Sequence, residues 1–146
     1  TFLMAYAHVA HDCKVGDKVV IVNQTNLAGH VEVEDHAFIS GMVAIHQFVR
    51  IGAHSMVGGH TAIRQDVLPF SLVEGKRLVS INSVGLRRRN FAPKTRKELK
   101  EAMRILKDPE SNTRQSVERI LAEIENTEEI RYLTDFIQNT SRGFVI

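Results

Sequence analysis

Reading every sixth residue from Leu3 returns an aliphatic side chain eleven times in succession: Leu3, Val9, Val15, Ile21, Leu27, Val33, Ile39, Ile45, Ile51, Val57 and Ile63. With aliphatics near a quarter of positions in an average chain, chance produces such a run about once in several million registers. The column two residues earlier is small or β-branched (Ala7, Cys13, Val19, Thr25, Val31, Ala37, Val43, Val49, Ser55, Thr61). The residue after each aliphatic is often small too, as at Ala10, Gly16, Ala28, Ser40, Gly52 and Gly58. A sandwich strand alternates with period two and would not hold a phase of six over ten intervals. The pattern predicts a triangular coil in which each hexad supplies one short strand and one turn. Three hexads close a coil of eighteen residues, and successive coils stack at about 4.8 Å. The expected fold is mainly β: a hexapeptide-repeat parallel β-helix, quasi-one-dimensional in its contacts.

After Asp66 the repeat fails, and Pro69 and Gly75 mark an exit turn. The β-helix is expected over 1–75 and a small α-helical C-terminal domain over 76–146. Segment 92–107 spaces Leu99, Met103, Ile105 and Leu106 helically among charges, and 113–125 places Val117, Ile120, Leu121 and Ile124 on one stripe. Thr127 before Glu128 and Glu129 reads as an N-cap with an acidic first turn, opening a helix expected to run to Gly143.

A formal net charge of +2 does not by itself point to nucleic acid. The single cysteine, Cys13, excludes an internal disulfide and fits a reducing compartment. No apolar run is long enough to span a bilayer, and no secretory leader is visible. An opening already inside the repeat, without an initiator Met, suggests that further coils precede Thr1. Charge is nevertheless segregated. Residues 86–107 hold nine Lys/Arg against Glu98 and Glu101, a net of +7, and residues 108–135 hold eight acids against three Arg, a net of −5. The Arg87–Arg88–Arg89 run suits phosphate, whose geometry the guanidinium fork matches.

All seven histidines lie in the first 60 residues. The eighteen-residue coil sets His11 in one column with Gly29 and Gln47, and Asp12 with His30 and Phe48. His46 stacks over Ala28, and Asn26 continues the column of His8. His8, His11, His30, His46 and Gln47 therefore form one patch across three coils, about 10 Å tall. Gly29 above His11 leaves room for a ligand and lets its amide approach closely. His36, His54 and His60 fall outside the patch and read as structural or solvent-facing. Such a cluster fits two chemistries. A histidine can act as general base near neutral pH, or neutral imidazoles can bind a metal such as zinc. No nucleophile elbow, phosphate-binding Gly loop or zinc motif of known spacing is present. A covalent enzyme intermediate is therefore less expected than direct acyl transfer, and the base and metal readings of the cluster both stay open on the residues alone.

The runs AHVAHDCKVGD (7–17), NLAGHVEVEDHAFISGMVAIHQFVRIGAHSMVGG (26–59), INSVGLRRRNF (81–91) and YLTDFIQNTSRGFV (132–145) resemble the UDP-N-acetylglucosamine O-acyltransferases of lipid A biosynthesis. The resemblance covers essentially the whole chain. It implies a left-handed coil, and a cytoplasmic homotrimer with active sites between subunits. The implied reaction moves a 3-hydroxyacyl group from acyl carrier protein to the 3-hydroxyl of UDP-N-acetylglucosamine. His11 matches the general base, Asp12 its orienter and the Gly29 amide the oxyanion donor. His8, His30, His46, Gln47, Asn82, Arg88 and Arg89 match substrate contacts, and Met56 and Gly59 the acyl-chain pocket. The basic segment from Lys94 to Lys107 would dock the carrier protein. Val84 departs from members that carry an acid two residues after the asparagine. Rival readings are the related N-acyltransferase, a trimeric zinc hydratase on the same fold, and a non-catalytic scaffold.

Overall fold

The computed structural model describes residues 1–146. Eleven two-residue strands wind into a parallel β-helix whose three faces are separate sheets. One face stacks β1 (Phe2–Leu3), β4 (Val20–Ile21), β7 (Phe38–Ile39) and β10 (Met56–Val57). The second stacks β2 (His8–Val9), β5 (Asn26–Leu27), β8 (Ala44–Ile45) and β11 (Ala62–Ile63), and the third β3 (Lys14–Val15), β6 (Glu32–Val33) and β9 (Arg50–Ile51). Neighbouring strands pair eighteen residues apart (Val20↔Phe38, Asn26↔Ala44, Glu32↔Arg50), the spacing the hexads predict. From Ile21 onward every aliphatic of the repeat is buried, as is the small column from Val19 to Thr61.

The corners hold a feature the apolar pattern does not reveal. Tyr6, Asp12, Lys18, Gln24, His30, His36, Met42, Phe48, His54 and His60 all have φ between 54° and 65°. Non-glycine residues seldom adopt this left-handed region, although Asp and His tolerate it better than most. From Gln24 onward each such corner is held by the coil beneath, because its N–H donates to a carbonyl nineteen residues earlier. His30 N bonds His11 O at 3.0 Å, and His54 N bonds Asp35 O at 3.0 Å. Corner residues therefore stack as strictly as the core does. His36 and His54 lie parallel with centroids 4.7 Å apart, as do His30 and Phe48.

The last coil shortens: Met56 pairs with Leu72 and Ile51 with Val67, sixteen residues on. A Cβ on Gly52 would lie 2.4 Å from Pro69 N, so only glycine lets the shortened coil pass so closely. Strand β12 (Ser71–Glu74) then turns back into β13 (Arg77–Ile81), antiparallel to it. The turn residues Gly75 and Lys76 have φ of 54° and 67°, as a type I′ hairpin turn requires. A division at residue 75 thus cuts between paired strands.

Four helices follow: α1 (Ser83–Arg88), α2 (Pro93–Leu106), α3 (Thr113–Glu123) and α4 (Glu128–Gln138). Proline begins α2, where its missing N–H costs nothing. Asn112 and Gln115 form a capping box on α3, and Thr127 accepts from Ile130 N at the start of α4. Leu99, Met103, Ile105, Leu106, Val117, Ile120 and Leu133 form a second core with Leu68 and Phe70 from the end of the coil. Leu121, expected on the buried stripe of α3, is 44% exposed because its neighbours Val117 and Ile120 take the face toward α2.

The last helix does not reach Gly143. It ends at Gln138, and the chain leaves as a strap that returns to the β-helix. Asp66 N donates to Gly143 O and Val145 N to Asp66 O, while Val145 enters the β-helix core. Asp66, almost fully buried, accepts from Thr140 Oγ1 at 2.6 Å and from Arg50 N at 2.8 Å. Docking the strap supplies partners for the open upper edge of the coil, which outweighs one further helical turn.

Candidate active site

The corner between the faces of β2 and β3 carries His11, Asp12, His30 and Phe48. The His11 ring donates through Nδ1 to Asp12 Oδ2 at 3.0 Å, which leaves Nε2 as a free acceptor. His30 Nε2 lies 3.7 Å from the same carboxylate oxygen, and its ring meets His11 edge-on at 5.1 Å. The hydrogen bond to His11, then the nearby charge of His30, hold the Asp12 carboxyl below its usual range. Phe48 covers the other face of His30 at 4.7 Å.

Gly29 stands directly over His11. A Cβ there would lie 2.7 Å from His11 Nε2, so the glycine is what leaves space for the ring. The Gly29 carbonyl accepts from Phe48 N, whereas its N–H makes no backbone hydrogen bond. A base with a free nitrogen thus lies against a glycine whose amide is unengaged. His8 and Gln47 are exposed nearby. His46 Nδ1 lies 3.1 Å from Arg142 Nη2, a partner from the C-terminal strap that periodicity could not supply. Donor atoms of His11, Asp12 and His30 all lie within 4.8 Å of one another, a spacing compatible with a divalent cation.

Asn82, Arg88, Arg89 and Met56 gather elsewhere, at the corner between the faces of β3 and β4. They line a cavity of about 440 Å³ with Phe38, His36, His54, Val84 and Gly85. Gly59 is not among these residues; it stacks on Gly41 at the third corner, where an added Cβ would lie 3.0 Å from Gly41 O. Asn82 is itself structural: its Oδ1 accepts from Gly85 N and caps α1, and its Nδ2 donates to His54 O at 3.0 Å. Arginines 88 and 89 sit at the end of that helix and make no ion pair.

His36 and His54, set aside in the sequence, belong to this cavity. Their spacing of eighteen was the available signal. Both Nδ1 atoms are buried without a partner. Burial, then the neighbouring His36 and Arg89, push the His54 imidazole down to about 4. Burial, then Arg89, lowers His36 as well.

A second cavity, about 510 Å³, opens between β13 and α2. Val79, Ser80, Met103, Lys97, Lys100 and Lys107 line it with the paired Glu101 and Arg104. Lys94 is tied to Glu98 and Glu125, whereas Lys97 and Lys100 have no acidic partner. No helix is long and apolar enough to cross a membrane.

The chain is 39% identical over 99% of its length to an acyl-(acyl-carrier-protein)–UDP-N-acetylglucosamine O-acyltransferase of Burkholderia mallei, covering 57% of that protein. It is 42% identical over 97% of its length to the enzyme of the same name from Campylobacter concisus, covering 54%. It spans just over half the length of these relatives. Among solved structures it superimposes on a UDP-N-acetylglucosamine acyltransferase from Bacteroides fragilis with a TM-score of 0.94 at 34% identity, covering 96% of this chain and 56% of that one. The corresponding Acinetobacter baumannii structure gives 0.93 at 34% identity, covering 99% and 57%. Residues 66–145 match the family model described as UDP N-acetylglucosamine O-acyltransferase, domain 2. By this match over more than half of its length, the chain belongs to the UDP-N-acetylglucosamine O-acyltransferase family.

Proposed function

We propose that this protein transfers a 3-hydroxyacyl group from acyl carrier protein to the 3-hydroxyl of UDP-N-acetylglucosamine, an early step of lipid A biosynthesis, working as a cytoplasmic homotrimer. The observation that carries the reading is the His11–Asp12 pair with its free Nε2 turned toward Gly29. In this mechanism Asp12, held ionised, fixes the His11 tautomer. Nε2 takes the proton of the sugar hydroxyl as its oxygen attacks the thioester carbonyl. The Gly29 N–H donates to the developing oxyanion, a contribution of about 3 kcal/mol in comparable sites. Collapse of the tetrahedral intermediate breaks the C–S bond, and the imidazolium returns its proton to the departing thiolate. His8, His30, His46 and Gln47 contact the sugar.

Two separated corners support the trimer. Arg88 and Arg89, suited to a diphosphate, lie at a different corner of the same chain from His11. A nucleotide sugar that meets both groups bridges two chains. Met56, with Phe38 beside it, offers apolar surface to the acyl chain, and Gly59 leaves space at the coil corner. Lys97 and Lys100 face an acidic carrier protein.

The test is acyl transfer from a series of acyl carrier protein thioesters to UDP-N-acetylglucosamine and to its 3-amino analogue. Acceptance by the hydroxyl and near-total loss in His11→Ala are expected. Preference for the amine makes a 3-amino sugar the acceptor, transfer only to UDP-3-O-acylglucosamine points instead to the N-acyltransferase, and equal activity in wild type and variant overturns the role of His11.

A further inference from the structure

His46 Nδ1 is contested by two groups of opposite character. The Gln47 carbonyl oxygen lies 3.2 Å away and Arg142 Nη2 3.1 Å away. A carbonyl only accepts, so it calls for a proton on Nδ1. A guanidinium only donates, so it calls for a lone pair there. The two demands exclude one another, and arginine cannot yield by losing its proton. We propose that Arg142 is a positioning residue that holds His46 in the tautomer protonated on Nε2, so that His46 offers the sugar nucleotide a hydrogen-bond donor.

The placement of Arg142 is over-determined. Its Nε donates to Arg64 O at 3.3 Å, and its own carbonyl accepts from Gln65 Nε2. The next residue, Gly143, has φ of 74° and bonds Asp66 N through its carbonyl, which pins the strap to the buried Asp66. The guanidinium is therefore delivered to His46 across 96 residues of sequence by a segment that also closes the coil. Without it, the Gln47 carbonyl is the remaining partner and draws the proton to Nδ1. Nε2 then becomes an acceptor, facing a ligand oxygen with a lone pair instead of an N–H. That His46 faces the sugar nucleotide rests on the function proposed above; the tautomer does not.

The experiment is a side-chain ¹⁵N–¹H correlation spectrum of the unliganded protein, with the His46 signal assigned by its disappearance in His46→Gln. It is paired with steady-state kinetics and thermal melting of Arg142→Ala and Arg142→Lys. Expected are a protonated Nε2 in the wild type and a shift toward protonated Nδ1 in Arg142→Ala. The KM for UDP-N-acetylglucosamine should rise about tenfold with kcat within about threefold, as loss of one ground-state contact implies. Arg142→Lys, which keeps a donor, should recover the wild-type tautomer. A wild type protonated on Nδ1, or an Arg142→Ala spectrum unchanged while only the melting temperature falls, overturns the proposal. A tautomer shift with unchanged KM leaves the positioning intact and overturns the assignment of His46 to the sugar site.

Discussion

A Cβ atom on Gly29 would lie 2.5 Å from His11 Cε1 and 2.7 Å from its Nε2, closer than real contacts allow. His11 is exposed and can swing aside, whereas Gly29 is buried in the coil. Gly29→Ala should therefore cost activity far more than stability. The expected outcome is a fall in kcat of about 100-fold, in the range seen when an oxyanion site is disturbed. The melting temperature should change by no more than about 2 °C. Paired kinetic and calorimetric measurements on the variant check both.

Asp12→Asn keeps the shape of the pair but lets the amide N–H, a donor, face His11 Nδ1. The ring then flips toward the tautomer protonated on Nε2, which cannot accept a proton. A loss in kcat of about 10³ to 10⁴ is expected, with KM little changed. Retained activity in Asp12→Asn would mean that the carboxylate orients nothing.

Asn82 bonds two elements at once, so its variants separate its two contacts. Asn82→Ala removes both the cap on α1 and the bond to His54 O, and should destabilise by about 1–2 kcal/mol. Asn82→Asp keeps the cap acceptor but loses the donor to His54. It should recover roughly half of that stability in urea unfolding. Both should raise the KM for the sugar nucleotide, because α1 carries Arg88 and Arg89.

Half-buried and stacked, His54 is held neutral with its pKa lowered to about 4. The unfolded chain binds a proton at its ordinary value near 6.5 while the folded chain does not. The His54 contribution therefore lowers stability as pH falls from about 6.5 toward 4 and levels off below. His54→Phe preserves the stack between His36 and Phe70 without a titrating group. Over pH 7 to 5 its melting temperature should fall by a few degrees less than that of the wild type. Parallel melting curves would exclude this linkage.

Lys97 and Lys100 carry unpaired positive charge beside the apolar edge of Val79. Charge reversal (K97E/K100E) should raise the KM for the acyl carrier protein at least tenfold and leave that for UDP-N-acetylglucosamine unchanged. The difference should shrink in high salt as exposed charges are screened. Equal effects on both substrates would place the carrier elsewhere.

The histidine corner was legible because it obeys the repeat. Once every coil has eighteen residues, the positions of His11 under Gly29 and of Asp12 beside His30 follow from counting. The same count set His36 beneath His54, but nothing in the pattern said that α1 would fold over them and turn a corner into a cavity. The division at residue 75 fell at a glycine that ends a strand without ending its sheet. The reach of the last helix was overestimated because Asn139 to Arg142 carry no helix breaker, and only docking to Asp66 turns them away.

By itself the sequence determined the β-helix, its register and the His11 cluster, because a periodic chain places equivalent residues in equivalent surroundings. The tertiary structure alone decided that Arg142 meets His46, that Asn82 caps a helix instead of standing free, and that the basic cavity opens between β13 and α2. It also set the Arg88–Arg89 corner apart from the His11 corner within one chain. These depend on contacts between segments with no shared period, where distance along the chain carries no information about distance in space.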